Sequence, residues 1–151
     1  MSKTRVIVLE DNVKAALKAA TGDALKRAAL AGGHVIEANA KINANNTFSS
    51  KSTGGAGLGG SIQTVVSKST DTRAEVEVGP TVIYGRIQEL GGIILPVHAK
   101  ILSWVDNGVR IFAKRVQIPA RPYLRPAVDE HENEIRQAVG YQLKKGIEAV
   151  T

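Results

Sequence analysis

The grouping of its strands restricts this chain more than any other feature. "SIQTVVSKS" and "RAEVEVG", residues 61–69 and 73–79, alternate apolar and polar side chains across a short polar "TDT", the pattern of a β-hairpin. A second pair, "ILPVHAKILSWV" and "VRIFAKRVQI", flanks Asp106-Asn107-Gly108, and Asn-Gly between β-prone runs is a strong hairpin signal. Helical patterns lie outside this region. Strands grouped together with helices at the ends specify an α+β fold with a mostly antiparallel sheet, not a wound parallel one.

Before the hairpins, "TRVIVLE" reads as a first strand. From Asp11 the apolar positions Val13, Leu17, Ala20, Ala24, Ala28, Ala31 and Val35 recur every three or four residues, as on one helical face. "TGD" at 21–23 and "GG" at 32–33 interrupt that face, so one kinked helix or two successive helices are expected between 11 and 44. Residues 43–61 are rich in Gly, Ser and Asn and read as a mobile loop. "PTVIYGRIQELGG" is short enough to be a helical turn or a strand.

After the second hairpin, Pro119, Pro122 and Pro126 fix their own φ and push the preceding residues toward extended geometry. Residues 118–126 are therefore expected to form a stiff, extended strap, with Pro126 as the first or second residue of a final helix. Asp129, Glu130, Glu132 and Glu134 crowd that helix's start and Lys144 and Lys145 its end, which complements the helix dipole. Val128, Ile135, Val139, Leu143 and Ile147 form its apolar stripe, with a gap around Glu132.

The 151 residues suit a single domain with one core. Without cysteine there are no disulfides or thiolate metal sites, and synthesis in the cytoplasm is the default expectation. The apolar run Val6–Leu9 is too short for a signal peptide or a membrane span. The net charge of +6 is uneven: residues 86–125 hold Arg86, Lys100, Arg110, Lys114, Arg115, Arg121 and Arg125 against Glu89 and Asp106. Such a stretch suits nucleic acid, an acidic protein surface, or simply a solvated strand face.

Most candidate chemistry fails on context. Gly55, Gly57 and Gly60 spell G-x-G-x-x-G, but they precede a β-prone run and lack the following lysine of a phosphate loop, so a flexible loop is expected. His34, His98 and His131 are scattered, and "HENE" lacks the second histidine of a zinc-binding helix. The carboxylates at 129–134 are already explained by the helix dipole. No catalytic residue, cofactor or metal is assigned, and no enzymatic activity is expected. Trp104 and Phe112 with Lys114 and Arg115 would suit stacking on single-stranded nucleic acid, yet a chain only 4% aromatic needs its rings in the core. Arg121 and Arg125 flank Tyr123 on the strap, which fits either a partner anchor or two plain surface arginines.

Several of these stretches together resemble a family of tailed phages, the tail-completion, head-tail joining or virion morphogenesis proteins. The stretches are "ANAK" ending at Lys41, "GLGGSI" at 57–62, "VGP" at 78–80, "YGRIQELGG" at 84–92 and "IPARPYLRPA" at 118–127. "AKILSW" and "IFAKRVQIPARPYLRPA" are similar to a subgroup carrying an inserted hairpin, here 93–118. The chain departs in two places: its helix-to-strand loop is longer and more glycine-rich, and Gly85 stands where alanine is more usual.

The resemblance implies a tail-terminator-like α+β fold and a non-enzymatic virion part at the head-tail junction or top of the tail, assembled in the host cytoplasm. Its implied partners are its own copies in a ring, usually a hexamer, with connector or neck and tail tube or terminator proteins. Under that reading Arg121, Pro122, Tyr123, Leu124 and Arg125, with Gly55, Gly57 and Gly59, are candidates for subunit or partner contacts. Lys100, Arg110, Lys114 and Arg115 are candidates for genomic DNA in the lumen or for an acidic partner. A small protein that binds single-stranded nucleic acid is the alternative, and no membrane is involved in either.

Overall fold

The computed structural model describes residues 4–6, 22–48, 57–70 and 72–149. In chain order the elements are β1 (Thr4–Val6), α1 (Gly22–Thr47), α2 (Gly57–Gly60), β2 (Ile62–Thr70), β3 (Arg73–Pro80), α3 (Gly85–Leu90), β4 (Gly92–Ile94), β5 (Leu102–Asp106), β6 (Val109–Ala113), β7 (Val116–Ile118), α4 (Leu124–Asp129) and α5 (Glu132–Glu148). The fold is α+β, as its grouped strands require.

A three-stranded antiparallel sheet, ordered β1-β3-β2, forms one layer. Ile62, Thr64 and Val66 of β2 and Ala74, Val76 and Val78 of β3 alternate inward, and α1 covers them. A register shift between Val66 and Lys68 breaks the ladder past that covered patch. Helix α5 packs along the other side of α1, so α1 is the middle layer. The two helices run antiparallel: Gly146 meets Ala24 at one end, and Gly32 meets Val139 and Ile135 at the other.

That middle position explains the Gly32-Gly33 pair. A Cβ on Gly32 would lie 2.9 Å from Val139 Cγ2, and one on Gly33 would lie 2.5 Å from Thr64 Cγ2 and 3.2 Å from Val76 Cγ2. Adjacent glycines thus serve opposite layers. Each costs about 1 kcal/mol of helix propensity relative to alanine, and close packing on both sides offsets that cost. The expected interruption at Gly32-Gly33 is therefore absent, α1 running unbroken through it, while the one expected at "TGD" falls at the edge of the described residues. Its buried stripe also differs from the expected one, running through Ala28, Gly32, Ile36, Ala40 and Ala44 rather than Ala31 and Val35, because the glycines occupy core positions. The earlier part of the expected helical face, with Val13, Leu17 and Ala20, lies outside the described residues.

Helix α1 also extends into the segment expected to be a loop. Asn43 and Asn45 read as loop formers because their side chains compete with helical hydrogen bonds, yet here they serve tertiary contacts. The Asn43 amide donates to the Tyr123 carbonyl at 3.2 Å, and Asn45 closes over Gly59. The turn α2 then seats Leu58 in the core, fixed by Ser61, whose N–H and hydroxyl both donate to the Leu58 carbonyl. Residues 57–60 are thus structural rather than a free loop, and deleting them would remove a core side chain.

The second hairpin forms as two short ribbons on one excursion. β4 pairs with β7, Gly92 opposite Ile118, and β5 pairs with β6 around Asn107 and Gly108, whose φ values of 49° and 82° suit a tight primed turn. Neither ribbon lies beneath a helix. Trp104 and Phe112 are accordingly exposed, at 40% and 58%, which corrects their expected place in the core. That role belongs to Tyr123, the largest fully buried side chain among the described residues, with Phe48 packed edge-on to its ring.

The final helical region is bent. α4 closes with the Glu130 N–H on the Pro126 carbonyl and α5 opens with the Ile135 N–H on the His131 carbonyl, so the gap in the apolar stripe falls at the bend. Leu124 and Ala127 bury before it, and Ile135, Val139, Leu143 and Gly146 after it.

Candidate functional site

The strap is shorter than its prolines suggest. Ile118 ends β7, and Leu124–Pro126 already form the first turn of α4, with Pro126 third in the helix. At that depth an amide N–H has no acceptor within its own helix, so the missing proline N–H costs nothing.

The remaining amides of this turn are satisfied from outside. Glu89 of α3 reaches across, its Oε2 accepting the N–H groups of Tyr123 at 2.7 Å and Leu124 at 2.9 Å and its Oε1 that of Arg125 at 3.0 Å. One carboxylate thus caps the start of α4, where the helix dipole favours negative charge. No residue of the strap supplies this cap, since Tyr123 stands at the N-cap position without a side-chain bond to the helix.

Further bonds lock the same junction. The Arg121 N–H donates to the Gln88 carbonyl at 2.7 Å, and the Tyr123 hydroxyl to the Gly85 carbonyl at 3.1 Å. Burial, together with the nearby Glu89 charge, pushes the Tyr123 phenol above its ordinary range, so it stays a neutral donor. Gly91 has a φ of +69°, and a Cβ there would lie 2.7 Å from the Ala120 amide nitrogen, so glycine is needed where α3 passes under the strap. Gly85 is pressed against the Pro80 ring, and an alanine in this arrangement would require the ring to move.

The strap residues therefore divide. Tyr123 and Leu124, proposed from sequence as partner contacts, are buried, at 0% and 2% exposure, and hold the strap down instead. Arg121, Pro122 and Arg125 are exposed. Among the described residues neither guanidinium has a carboxylate within ion-pair distance. The backbones beneath both are fixed, Arg121 by Gln88 and Arg125 by Glu89, so two cations stand on a rigid base.

The other candidates are spread out. Gly55 lies outside the described residues. Gly57 begins α2 with a φ of +61°, and Gly59 is buried against Asn45. Lys100, Arg110, Lys114 and Arg115 are all exposed on or beside the β5–β6 ribbon. Trp104 pairs with Ile111 and Phe112 with Ser103, so the two rings point to opposite faces of the ribbon and make no common stacking platform. Among the described residues no group of three or more His, Cys, Asp or Glu is placed to hold a metal ion, and no helix is long and apolar enough to cross a membrane.

Glu89 was the residue that side-chain type alone did not single out. Its signal was present in "YGRIQELGG", where it is one of only two acids in the basic stretch.

The family model described as HK97-gp10-like, "Bacteriophage HK97-gp10, putative tail-component", matches residues 8–91, more than half of the chain. The chain belongs to this family. As a phage tail component it is a structural protein of the virion and contacts other phage structural proteins. The matched region ends at Gly91 and so includes Glu89, while the ribbons, the strap and the last two helices lie beyond it. No curated protein and no solved structure matches the chain.

Proposed function

We propose that this tail component acts at the top of the tail, completing it and joining it to the head as a ring of identical subunits, with six the expected number. It is read as non-enzymatic, assembling in the host cytoplasm and working by docking onto connector, neck, tail tube or terminator proteins. Membership of a family of phage tail components carries this reading. The clamped strap supports it: a contact element already ordered in the subunit loses little entropy on docking.

Genomic DNA passing the ring is a further proposed contact for the basic stretch. A dedicated single-stranded nucleic-acid binder is less well supported, because Trp104 and Phe112 face opposite ways. The test is electron microscopy of lysates from a parent phage lacking this gene. Filled heads beside free, separate tails are expected, and normal infectious particles would overturn the reading.

A further inference from the structure

The β5–β6 ribbon and its approach strands are exposed in a way the subunit alone does not explain. Of the fifteen large hydrophobic side chains exposed among the described residues, ten lie between Leu90 and Phe112. Both ribbon faces take part: Trp104 and Val109 share one, Val105 and Phe112 the other. Arg110, Lys114 and Arg115 border them without an ion-pair partner among the described residues. Exposed apolar side chains with basic ones among and beside them fit a protein partner; nucleic-acid surfaces are more uniformly polar and basic.

The same chain carries a surface of matching charge. Asp129, Glu130 and Glu134 are exposed around the bend between α4 and α5, also without ion-pair partners among the described residues. Resting on the ring assembly proposed above, we propose that the ribbon of one copy docks on the α4–α5 bend of a second copy, Arg110, Lys114 and Arg115 facing Asp129, Glu130 and Glu134. Two different patches on one chain make a head-to-tail contact, the kind that generates rings or open filaments rather than closed two-fold dimers.

Charge reversal tests this contact in the cysteine-free full chain. One variant carries Arg110→Glu, Lys114→Glu and Arg115→Glu, the other Asp129→Lys, Glu130→Lys and Glu134→Lys, with association followed by sedimentation velocity up to millimolar protein. Like charges facing each other should weaken association by roughly a hundredfold in either variant alone. An equimolar mixture should restore it, because every contact in an alternating assembly is then complementary. Lysines at a helix start oppose its dipole, so Asp129→Asn, Glu130→Gln, Glu134→Gln serves as a gentler second variant, expected to melt normally and associate more weakly.

A wild-type chain that stays monomeric, association that survives reversal, or a mixture that fails to recover would each overturn the contact. So would a ribbon reversal that abolishes binding to a single-stranded oligonucleotide while leaving association intact, which would assign the ribbon to nucleic acid. Association that persists through both reversals would leave the ring reading standing with a different contact. Normal particles from the gene deletion would remove the ring reading itself.

Discussion

Glu89→Ala probes the junction most directly. The substitution leaves three amide donors without their carboxylate, two of them on the buried residues Tyr123 and Leu124 and one on exposed Arg125, which water can serve. A buried donor left unsatisfied costs about 1–3 kcal/mol. Partial water entry through the half-exposed end of the site reduces the sum, so a loss of about 3 kcal/mol is expected. For a chain of this size that corresponds to a fall in melting temperature of about 6–12 °C, measurable by circular dichroism. Hydrogen exchange should rise first at residues 123–125, while the β2–β3 ladder keeps its protection until global unfolding. Glu89→Gln retains one carbonyl acceptor and should lose about 1 kcal/mol, the charge-assisted part. A melting point for Glu89→Ala within 2 °C of wild type, or exchange unchanged at 123–125, would refute the assignment of Glu89 as the clamp.

Other substitutions separate packing from contact. Gly33→Ala gains about 1 kcal/mol of helix propensity but drives a methyl into Thr64, where overpacking costs about 1–3 kcal/mol. A net loss in chemical denaturation is expected, while Gly140→Ala, with open space around it, should gain up to about 1 kcal/mol. Tyr123→Phe removes the hydroxyl bond to Gly85 and should cost about 1 kcal/mol, with the melt still cooperative. Replacing Arg121 and Arg125 together by alanine should leave the melting temperature nearly unchanged and abolish virion assembly in a complementation assay; loss of folding would mark them as structural. Burial acts to raise the Glu37 carboxyl, but the Lys41 ammonium hydrogen-bonded to it at 2.6 Å, with Thr64 close by, outweighs burial and holds the group below its ordinary range. Its stabilisation is therefore full above the unfolded carboxylate value and lost as pH falls through the lower folded one, and Glu37→Gln should flatten that part of a stability–pH curve.

The strands and hairpins were legible because alternation and Asn-Gly are local signals, read within a few residues. The helix boundaries were less so, for tertiary reasons. Gly32-Gly33 looks like a break until α5 and the sheet are seen on either side of it, and Asn43 and Asn45 look like loop residues until Tyr123 and Gly59 supply their contacts. The aromatics show a similar limit. Composition placed Trp104 and Phe112 in the core, whereas the chain buries Tyr123 and leaves both of them outside. At the strap, sequence read all of Arg121–Arg125 as contacts, whereas the structure exposes the two arginines and buries Tyr123 and Leu124. The residue that fixes the strap lies 34 positions upstream of Tyr123, a distance over which no periodicity reports.

Gly92 and Ile118 are register partners. The ribbon therefore leaves the body and returns to it at one place, and nothing between those residues is needed to set the distance from Glu89 to the first turn of α4. Reach and anchoring are geometrically independent in this chain. Evolution can lengthen, shorten or recolour the ribbon to follow a changing neighbour while the clamp stays where it is, and a designer can graft a different projection onto the same two residues.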